Sequence, residues 1–291
     1  MAATVRLTML NAMGGADIAA SLDRHVGWGL RQVDLKDAIF GKGVLDLDDA
    51  EIVRLRAMLD QRQLTVATMS TVLFHPPIER GQEAFRADEL GRIGRAMEIA
   101  QALQPRCVRL LAAQTEAREQ VLDTTPYLRA RHPWVFAMYR EAIGRLSEAG
   151  FRVLIENEVG RCIWSRPEEV LGFFEELGGG SAASFMWDVQ NLWQMGTFPS
   201  LPVYRQLRPI IGQVHLKGGI AERPGGPLKW RSSLQDASWP VEPILREIIA
   251  DGVSAVLCLN PSHGQAPDGY DQARVTERDI AFLRGAFPEI E

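Results

Sequence analysis

The amino-acid sequence predicts an α/β fold, a (β/α)8 TIM barrel, in a single domain that spans residues 1–291. Short apolar runs rich in Val, Ile and Leu alternate with helical patterns along the whole chain, which is typical of buried parallel strands and their crossover helices. The length of 291 residues fits one such barrel, which typically needs about 250 residues. The last four apolar runs each end in a polar residue, as strands do at the functional face of this fold.

Eight segments of the sequence have the composition of strands. They are residues 6–10, 32–36, 65–73, 107–112, 152–156, 185–188, 211–216 and 255–259. Each segment is short and apolar, and a stretch with helical periodicity separates it from the next. Eight is the number of strands that closes this kind of barrel, so the strand count supports the predicted fold.

Two helix starts have a recognisable capping pattern. Asp48 followed by Glu51 predicts a capping box, in which each side chain binds the backbone N–H of the other residue. Ser165 followed by Glu168 predicts a second capping box. Pro167 would then lie in the first helical turn, where its missing N–H costs little.

Two connections are longer than the roughly 2–6 residues that usually follow a strand in α/β units. They cover residues 114–133 and residues 218–240. Both follow predicted strands, so both belong to the face of the barrel that carries chemistry. The second segment, with its glycines, prolines and cations, can act as a lid over a bound substrate, and the alternative is a solvated surface loop.

Composition excludes several classes of protein. A net charge of −5 argues against a nucleic-acid partner, and no apolar run approaches the roughly 20 residues that span a membrane. The first ten residues, MAATVRLTML, lack the pattern of a secretory leader. Three widely spaced cysteines argue against a disulfide framework, so we expect a cytoplasmic protein. The sequence does not predict the oligomeric state.

Four candidate metal ligands follow the strands of the second half. Glu156 ends the run VLIE, Asp188 ends SFMWD, His215 ends GQVH and Asn260 follows AVLCL. The carboxyl ends of parallel barrel strands meet at one face, so these residues can surround one ion. Carboxylates with an imidazole favour a hard or borderline divalent cation, and Mn, Mg, Co and Zn all remain open.

The motifs around these residues resemble those of a known family. LIENEVG contains Glu156, WDVQN contains Asp188, VHLKG contains His215 and LNPSH contains Asn260. In this order and spacing they resemble the xylose isomerase-like sugar phosphate isomerase/epimerase family. The resemblance extends over nearly the whole chain and implies a TIM barrel, one divalent metal ion and a small sugar or polyol-derived substrate. It also implies that Glu156 both binds the metal and moves a proton next to a carbonyl.

Asn260 departs from the pattern of that family, in which a glutamate usually occupies this position. An amide oxygen can still coordinate a hard cation, but an amide cannot accept and return a proton near neutral pH. The charge of the ligands falls from three negatives to two, which predicts weaker metal retention. Epimerisation with two bases is therefore in doubt, whereas isomerisation with one base and elimination remain open. Gly218 is a second departure, because aspartate often follows the VHLK motif.

Three further residues are candidates for acid–base chemistry. Glu158 lies two positions after Glu156 and can act as a second acid or base, or support the first carboxylate. His263 follows the last strand and can enter the pocket. Lys217 matches the lysine of the VHLK motif, and it can hold a substrate oxygen or pair with a barrel carboxylate.

Five residues are candidates for substrate binding. Asn191 can bind a sugar hydroxyl or cap the following helix. His75 follows the third strand. Lys36 and Arg109 can bind a hydroxyl or carboxylate, although an internal ion pair is the favoured role for both. Trp193 can stack on a sugar ring, with packing in the core as the default.

Three functions remain open at this point. The first is a metal-dependent isomerase or epimerase that transfers a proton next to the carbonyl of a small sugar or polyol-derived ketone. The second is a metal-dependent lyase, dehydratase or deglycosylating enzyme on a keto-sugar, which the loss of the fourth glutamate favours. The third is a non-catalytic sugar-binding or partner subunit with a decayed site. No glycine loop for phosphate is evident, which favours an unphosphorylated substrate.

Overall fold

The computed structural model describes residues 4–179 and 183–291. Residues 1–3, with which the N-terminal segment MAATVRLTML begins, and residues 180–182 lie outside the described residues. The strands in the described part are β1 (Arg6–Met9), β2 (Gln32–Leu35), β3 (Thr65–Ser70), β4 (Cys107–Leu111), β5 (Arg152–Glu156), β6 (Ser184–Asp188), β7 (Ile211–Leu216), β8 (Ile220–Ala221), β9 (Leu228–Trp230) and β10 (Val256–Leu259). Each of the eight predicted segments overlaps one of these strands, with ends that differ by at most three residues.

Eight of these strands form one parallel sheet that closes on itself. Their order is β1, β10, β7, β6, β5, β4, β3 and β2, and each hydrogen-bonded pair is parallel. A parallel bridge between Leu10 and Asp34 then joins the first strand to the last. The predicted TIM barrel is therefore confirmed.

The third strand is shorter than predicted, because the chain turns at Thr71. The hydroxyl of Thr71 donates to the carbonyl of Arg109 at 2.6 Å and accepts from the backbone N–H of Leu73 at 3.3 Å. Phe74 then adopts a left-handed backbone conformation with φ of 73°. These local hydrogen bonds replace the backbone hydrogen bonds between strands that would have continued β3.

Helices separate the barrel strands. They are α1 (Ile18–Gly27), α2 (Asp49–Gln61), α3 (Gln82–Asp88), α4 (Ile93–Leu103), α5 (Thr124–Arg131), α6 (Trp134–Glu148), α7 (Pro167–Glu176), α8 (Val189–Gln194), α9 (Leu201–Leu207), α10 (Val241–Asp251) and α11 (Gln272–Ala286). None of the helices in the described residues is long and apolar enough to cross a membrane. The long segment 114–133 contains α5, and the segment 218–240 contains the antiparallel hairpin β8–β9.

One of the two predicted capping boxes is confirmed and the other is wrong. Asp48 and Glu51 bind each other's backbone N–H groups at 2.9 Å in both directions. Ser165, however, donates its backbone N–H and its hydroxyl to Glu169, at 2.8 and 2.9 Å, and not to Glu168. The physical reason is tertiary, because Glu169 is buried and also pairs with Arg118 at 2.9 Å from the loop after β4.

The interior of the barrel is apolar at the amino-terminal end of the strands and polar above it. Cys107, Leu154 and Met186 form a small apolar cluster there. Along each strand, the residue two positions further points to the same face, so the next layer contains Arg109, Glu156 and Asp188. The larger apolar core lies outside the barrel, between the strands and the helices. The polar interior therefore opens toward the carboxyl ends of the strands.

Asp279 connects α11 to the segment 218–240 and generates a prediction about pH. Its buried carboxylate accepts the backbone N–H of Leu234 at 2.7 Å. Burial raises the pKa of Asp279 to about 7, although the Leu234 bond and Arg278 act to lower it, and Asp236 adds to the increase. Between pH 4 and 7 the folded state then holds a proton that the unfolded state has lost, so the free energy of unfolding falls as pH rises through this window.

We expect Asp279→Asn to remove most of this dependence, because the amide oxygen still accepts from Leu234 and carries no charge. Denaturant unfolding at pH 5 and pH 8 measures the difference in the free energy of unfolding between the variant and the parent protein. This difference should favour the variant by about 1–3 kcal/mol more at pH 8 than at pH 5. Asp268→Asn, an exposed change in the same region, is the matched control. Equal pH profiles for Asp279→Asn and the parent would contradict the prediction.

Candidate active site

The four predicted ligand positions converge at the carboxyl ends of neighbouring strands. Glu156 ends β5, Asp188 ends β6, His215 lies near the end of β7 and Asn260 follows β10. One oxygen of each carboxylate and one nitrogen of His215 lie within 4.8 Å of one another, and all three side chains are buried. Asn260 is brought alongside by its backbone N–H, which donates to the carbonyl of Leu216 at 3.0 Å.

The Nδ1 atom of His215 is the centre of this group. It lies 2.7 Å from Glu156 Oε1, 2.8 Å from Asn260 Nδ2 and 3.8 Å from Asp188 Oδ2. A ring nitrogen carries either one hydrogen or one lone pair, so it cannot donate to Glu156 and accept from Asn260 at once. Asn260 Oδ1 instead lies 3.3 Å from Cys258 Sγ. The amide therefore turns its nitrogen, and not its carbonyl oxygen, toward the cluster.

Each carboxylate of the cluster already has a cationic partner. Arg109 Nη1 donates to Glu156 Oε2 at 2.5 Å, and Lys217 Nζ lies 2.7 Å from Asp188 Oδ2. The remaining guanidinium nitrogens of Arg109 donate to the carbonyl of Thr71. Arg109 thus occupies the internal ion pair that the sequence favoured over substrate binding. The two negative charges of the candidate metal ligands are therefore not the net charge of the site, because these two cations balance them.

The pKa values follow from these pairs. Burial acts to raise the pKa of Glu156, but His215 and Arg109 lower it to about 2. Burial opposes ionisation of Asp188 too, yet Lys217 and His215 hold its pKa below the ordinary range. Burial acts to lower the pKa of His215, but Glu156 and Asp188 raise it to about 9. A metal ion at Nδ1 would therefore have to displace a proton.

The two oxygens of Asp188 have different partners. Its Oδ1 accepts the backbone N–H groups of Gln190 and Asn191, at 3.0 and 2.8 Å, at the start of α8. Asn157 exchanges two hydrogen bonds of 2.9 Å with the backbone of Asp188, which ties the end of β5 to the end of β6. Oδ2 is buried and is bound only through ion-pair contacts, with the ammonium of Lys217 at 2.7 Å and His215 Nδ1 at 3.8 Å. Sequence reasoning missed Asn157, although it is the third letter of the IEN motif.

Three of the predicted catalytic and substrate-binding residues form a chain of hydrogen bonds beside the carboxylates. Lys217 Nζ is 3.0 Å from Asn191 Oδ1 and 2.8 Å from His263 Nε2. The amide nitrogen of Asn191 donates to Asn157 O at 3.0 Å and lies 3.4 Å from Glu158 Oε2, which brings a fourth candidate to the group. Burial and the charge of Lys217 lower the pKa of His263 to about 4, so the neutral ring accepts a hydrogen from Lys217.

Gln190 hydrogen-bonds to the loops around this chain of hydrogen bonds. No pattern in the sequence indicated this role. Its Nε2 donates to the carbonyl of Gly218 at 2.8 Å and to the hydroxyl of Ser262 at 3.0 Å. Its Oε1 accepts the backbone N–H of His263 at 2.5 Å. One buried side chain after β6 therefore positions the loops that follow β7 and β10. Only the tertiary structure brings its three partners together.

The other predicted substrate binders lie outside this chain of contacts. His75 Nε2 is 3.0 Å from the side-chain amide of Gln114. Lys36 has its ammonium 4.0 Å from the next residue's carboxylate, and its charge contributes to the low pKa of His263. Trp193 is buried, and its indole N–H donates to a backbone carbonyl between β8 and β9 at 2.8 Å. It therefore has the packing role that the sequence gave as the default.

The cluster is enclosed. The four ligand positions and Lys217 are all less than a tenth exposed, and half-buried His263 lies against the ammonium of Lys217. A cavity lined by Arg231, Tyr270 and Arg274 lies between the loop after β7 and the start of α11, and none of the cluster residues lines it. Among the described residues, access to the cluster thus requires movement of Lys217, His263 or the loops that carry them.

Solved structures share this fold over nearly their whole length. A xylose isomerase-like TIM barrel protein from Mycobacterium smegmatis, in complex with magnesium, has 16% identity and a TM-score of 0.70, with 97% of this chain and 96% of that chain covered. The probable 3-DHS dehydratase from Bacillus anthracis has 12% identity and a TM-score of 0.71, with 96% and 98% covered. The 3-keto-D-glucoside 4-epimerase from Escherichia coli has 15% identity and a TM-score of 0.68, with 97% and 99% covered.

Sequence comparisons give the family. No curated protein sequence matches the chain at a significant level. The family model for the xylose isomerase-like TIM barrel matches residues 22–286, which is most of the 291 residues. At identities of 12–16% the solved structures establish the fold alone. The chain therefore belongs to the xylose isomerase-like TIM barrel family.

Proposed function

We propose that this protein is a metal-dependent enzyme that transfers a proton next to the carbonyl of a small sugar or polyol-derived ketone, as an isomerase or epimerase. The observation that carries the proposal is the buried group of Glu156, Asp188 and His215, whose ligand atoms lie within 4.8 Å of one another. Two similar structures support the reaction class, because they are named as a 3-keto-D-glucoside 4-epimerase and an L-ribulose 3-epimerase.

The donor set fits a divalent ion. Asp188 Oδ2 is buried and is bound only through ion-pair contacts, and His215 Nδ1 faces more groups than one proton can satisfy. Two carboxylate oxygens and one imidazole nitrogen suit Mg, Mn, Co or Zn, and a similar structure contains magnesium. When bound, the ion would polarise adjacent substrate oxygens as a Lewis acid. Asn260 would supply a fourth oxygen only after its amide rotates.

The protein residues around the ligands have separate roles in this proposal. Arg109 holds Oε2 of Glu156, and Oε1, which lies 2.7 Å from His215 Nδ1, would move the substrate proton. Lys217 is the charged hydrogen donor beside Asp188, and it would donate to the substrate oxygen that gains negative charge. His263 accepts from Lys217 and so orients its ammonium. The enclosure of the cluster would keep water away from the reacting carbon.

A lyase or dehydratase on a keto-sugar is the second candidate. Asn260 favours it, because an amide in place of the expected glutamate removes the second base that epimerisation on opposite faces requires. One base is sufficient to remove a proton when a leaving group departs from the next carbon. A similar structure is named as a probable 3-DHS dehydratase, which supports this alternative.

The metal site predicts the effect of His215→Ala. The variant should lose at least about tenfold in affinity for Mn²⁺, which is about 1.4 kcal/mol, because one of three protein ligands is removed. Equilibrium titration with Mn²⁺ and elemental analysis measure the loss. His75→Ala is the matched control, since within the described residues the ring of His75 bonds to Gln114 and to none of the cluster residues. Unchanged metal content in His215→Ala would place the site elsewhere or identify a metal-free binding protein.

The role of Glu156 as a base predicts a separation of chemistry from binding. Glu156→Gln keeps an oxygen ligand but loses the proton acceptor, so turnover should fall by a factor on the order of 10²–10⁴. The assay is a keto-sugar panel in deuterated water, which detects exchange into recovered substrate and loss of water or aglycone. Glu158→Gln is the comparison variant. If only Glu158→Gln loses exchange, the base has been assigned to the wrong carboxylate.

The charge at Asn260 separates the two reaction classes. Asn260→Glu adds one anionic oxygen, so Mn²⁺ affinity should increase at least about tenfold. If the natural reaction is an isomerisation that depends on a weakened second base, the activity should increase. If the natural reaction is an elimination, the activity should not increase, because a more anionic site makes the ion a poorer Lewis acid. Asn260→Gln controls for side-chain size without charge. An unchanged dissociation constant would mean that this position does not face the ion.

A further inference from the structure

The hairpin β8–β9 and the loop after β10 are joined through their backbones. The N–H of Arg231 donates to the carbonyl of Gln265 at 2.9 Å, and the N–H of Gln265 donates to the carbonyl of Lys229 at 2.8 Å. The Nε of Arg231 donates to the carbonyl of Gly264 at 3.0 Å. Gly264 has φ of 95°, and a Cβ atom at this position would lie 2.8 Å from the carbonyl oxygen of Lys229. Only glycine therefore allows the two segments to approach this closely.

We call these joined segments, residues 220–231 and 262–265, the lid. The lid borders the candidate site, because the ring of His263 contacts the ammonium of Lys217 at 2.8 Å. Its packing is slight, since residues 222–225 are exposed and the three residues of β9 are half-buried. Segments with few buried apolar contacts open at a lower free energy than the core. The lid is therefore the part of the enclosure that we expect to open.

The buried side chain of Gln190 connects the lid to the barrel. Its Oε1 accepts the backbone N–H of His263 at 2.5 Å, and its Nε2 donates to the hydroxyl of Ser262 at 3.0 Å. Nε2 also donates to the carbonyl of Gly218, at the base of the hairpin, at 2.8 Å. The backbone N–H of Gln190 donates to Oδ1 of Asp188 at 3.0 Å, which fixes it beside the candidate metal ligands. Gln190 thus holds one segment of the lid and the base of the other.

In the described part of the chain, two further hydrogen bonds connect the lid to its surroundings, and both involve the hairpin. The indole N–H of Trp193 donates to the carbonyl of Gly226 at 2.8 Å, and the backbone N–H of Ala221 donates to the hydroxyl of Ser238 at 3.0 Å. A cavity of about 410 Å³ lies between Trp193 and the tip of the hairpin. The segment after β10 therefore depends on Gln190, on its contact with Lys217 and on the hairpin.

We propose that Gln190 is a positioning residue that holds the lid closed as one unit and thereby keeps His263 against the ammonium of Lys217. Closure of the lid needs no metal or substrate, whereas the use of Lys217 as a hydrogen donor rests on the proposed function. An amide suits this position, because its oxygen accepts a hydrogen while its NH2 group donates two. Release of these bonds would open a path to the buried cluster, as loop opening does in many enzymes.

The first readout is backbone hydrogen exchange of the metal-free protein, followed by mass spectrometry. In Gln190→Ala three hydrogen bonds are lost at once, so exchange in both segments of the lid should become at least about tenfold faster. Gln194→Ala, an exposed change on the same helix, is the matched control and should leave exchange within about twofold of the parent. Unchanged exchange in a folded Gln190→Ala variant overturns the proposal. An increase spread evenly over the barrel also overturns it, because it would indicate a general structural role.

Gly264→Ala tests the unity of the lid without a change in the buried part of the site, and it serves equally if Gln190→Ala does not fold. Its Cβ atom would collide with the carbonyl of Lys229, so lid exchange should become at least about tenfold faster than in Gly269→Ala. Gly269 is the matched control, since it has a similar φ of 74° with open space around it. Equal effects of the two glycine variants would mean that the segments open independently, which overturns the single unit.

The second readout is the titration of His263 by NMR, with His263→Ala to assign its resonances. Burial and the charge of Lys217 lower the pKa of His263 to about 4. If Gln190 keeps the ring in place, Gln190→Ala should move this pKa toward its ordinary value of about 6.5, and Gln194→Ala should not. A pKa of His263 that is unchanged in Gln190→Ala overturns the positioning role. Neither readout needs metal or substrate, so unchanged metal content in His215→Ala would count against the proposed function alone.

Discussion

Two fully buried carboxylates, on Glu156 and Asp188, need positive charge within a few ångström, and much of the barrel's upper end is arranged around that need. Arg109 supplies it from β4 and Lys217 from the end of β7. Removing one partner of a buried ion pair typically costs about 3–5 kcal/mol, because the other charge is left uncompensated. The pairs therefore join β4 to β5 and β6 to the loop after β7.

The same charge balance governs what the site can bind. With Arg109 and Lys217 in place, the two carboxylates are neutralised before any ion arrives. A divalent cation would compete with Lys217 for Asp188 Oδ2 and with a proton for His215 Nδ1. Asn260 adds no negative charge, and its amide nitrogen faces His215. Such a cluster would bind a cation less tightly than one with a third carboxylate, and a released Lys217 would be available to a substrate oxygen.

Side-chain amides hold this charged group in place. Asn157 bonds twice to the backbone of Asp188, and Gln190 bonds to the loops after β7 and β10. Amides suit this task because each offers donors and an acceptor without adding charge to a site that is already balanced. The loops of the functional face are thereby linked to strand ends, so movement of His263 or Lys217 would disturb several of these bonds together.

Local sequence patterns were sufficient to predict the strands and the capping box of Asp48 and Glu51. They were also sufficient to identify the polar residues at the strand ends. The periodicity of apolar residues and the capping pattern of a helix depend on residues a few positions apart, so both can be recognised in the sequence. The second capping box failed for the opposite reason. Glu169 pairs with Arg118, 51 positions away, and that contact draws it toward Ser165 in place of Glu168.

The sequence by itself determined the parallel barrel and the set of polar residues that meet at its carboxyl end, because strand alternation places them there in any closed barrel of this kind. Only the tertiary structure decided which cation lies beside which carboxylate, which atom of Asn260 faces His215, and which loops the side chain of Gln190 joins. Those outcomes depend on the register between strands and on the space between side chains from opposite parts of the chain, and no short-range pattern in the sequence encodes such distances.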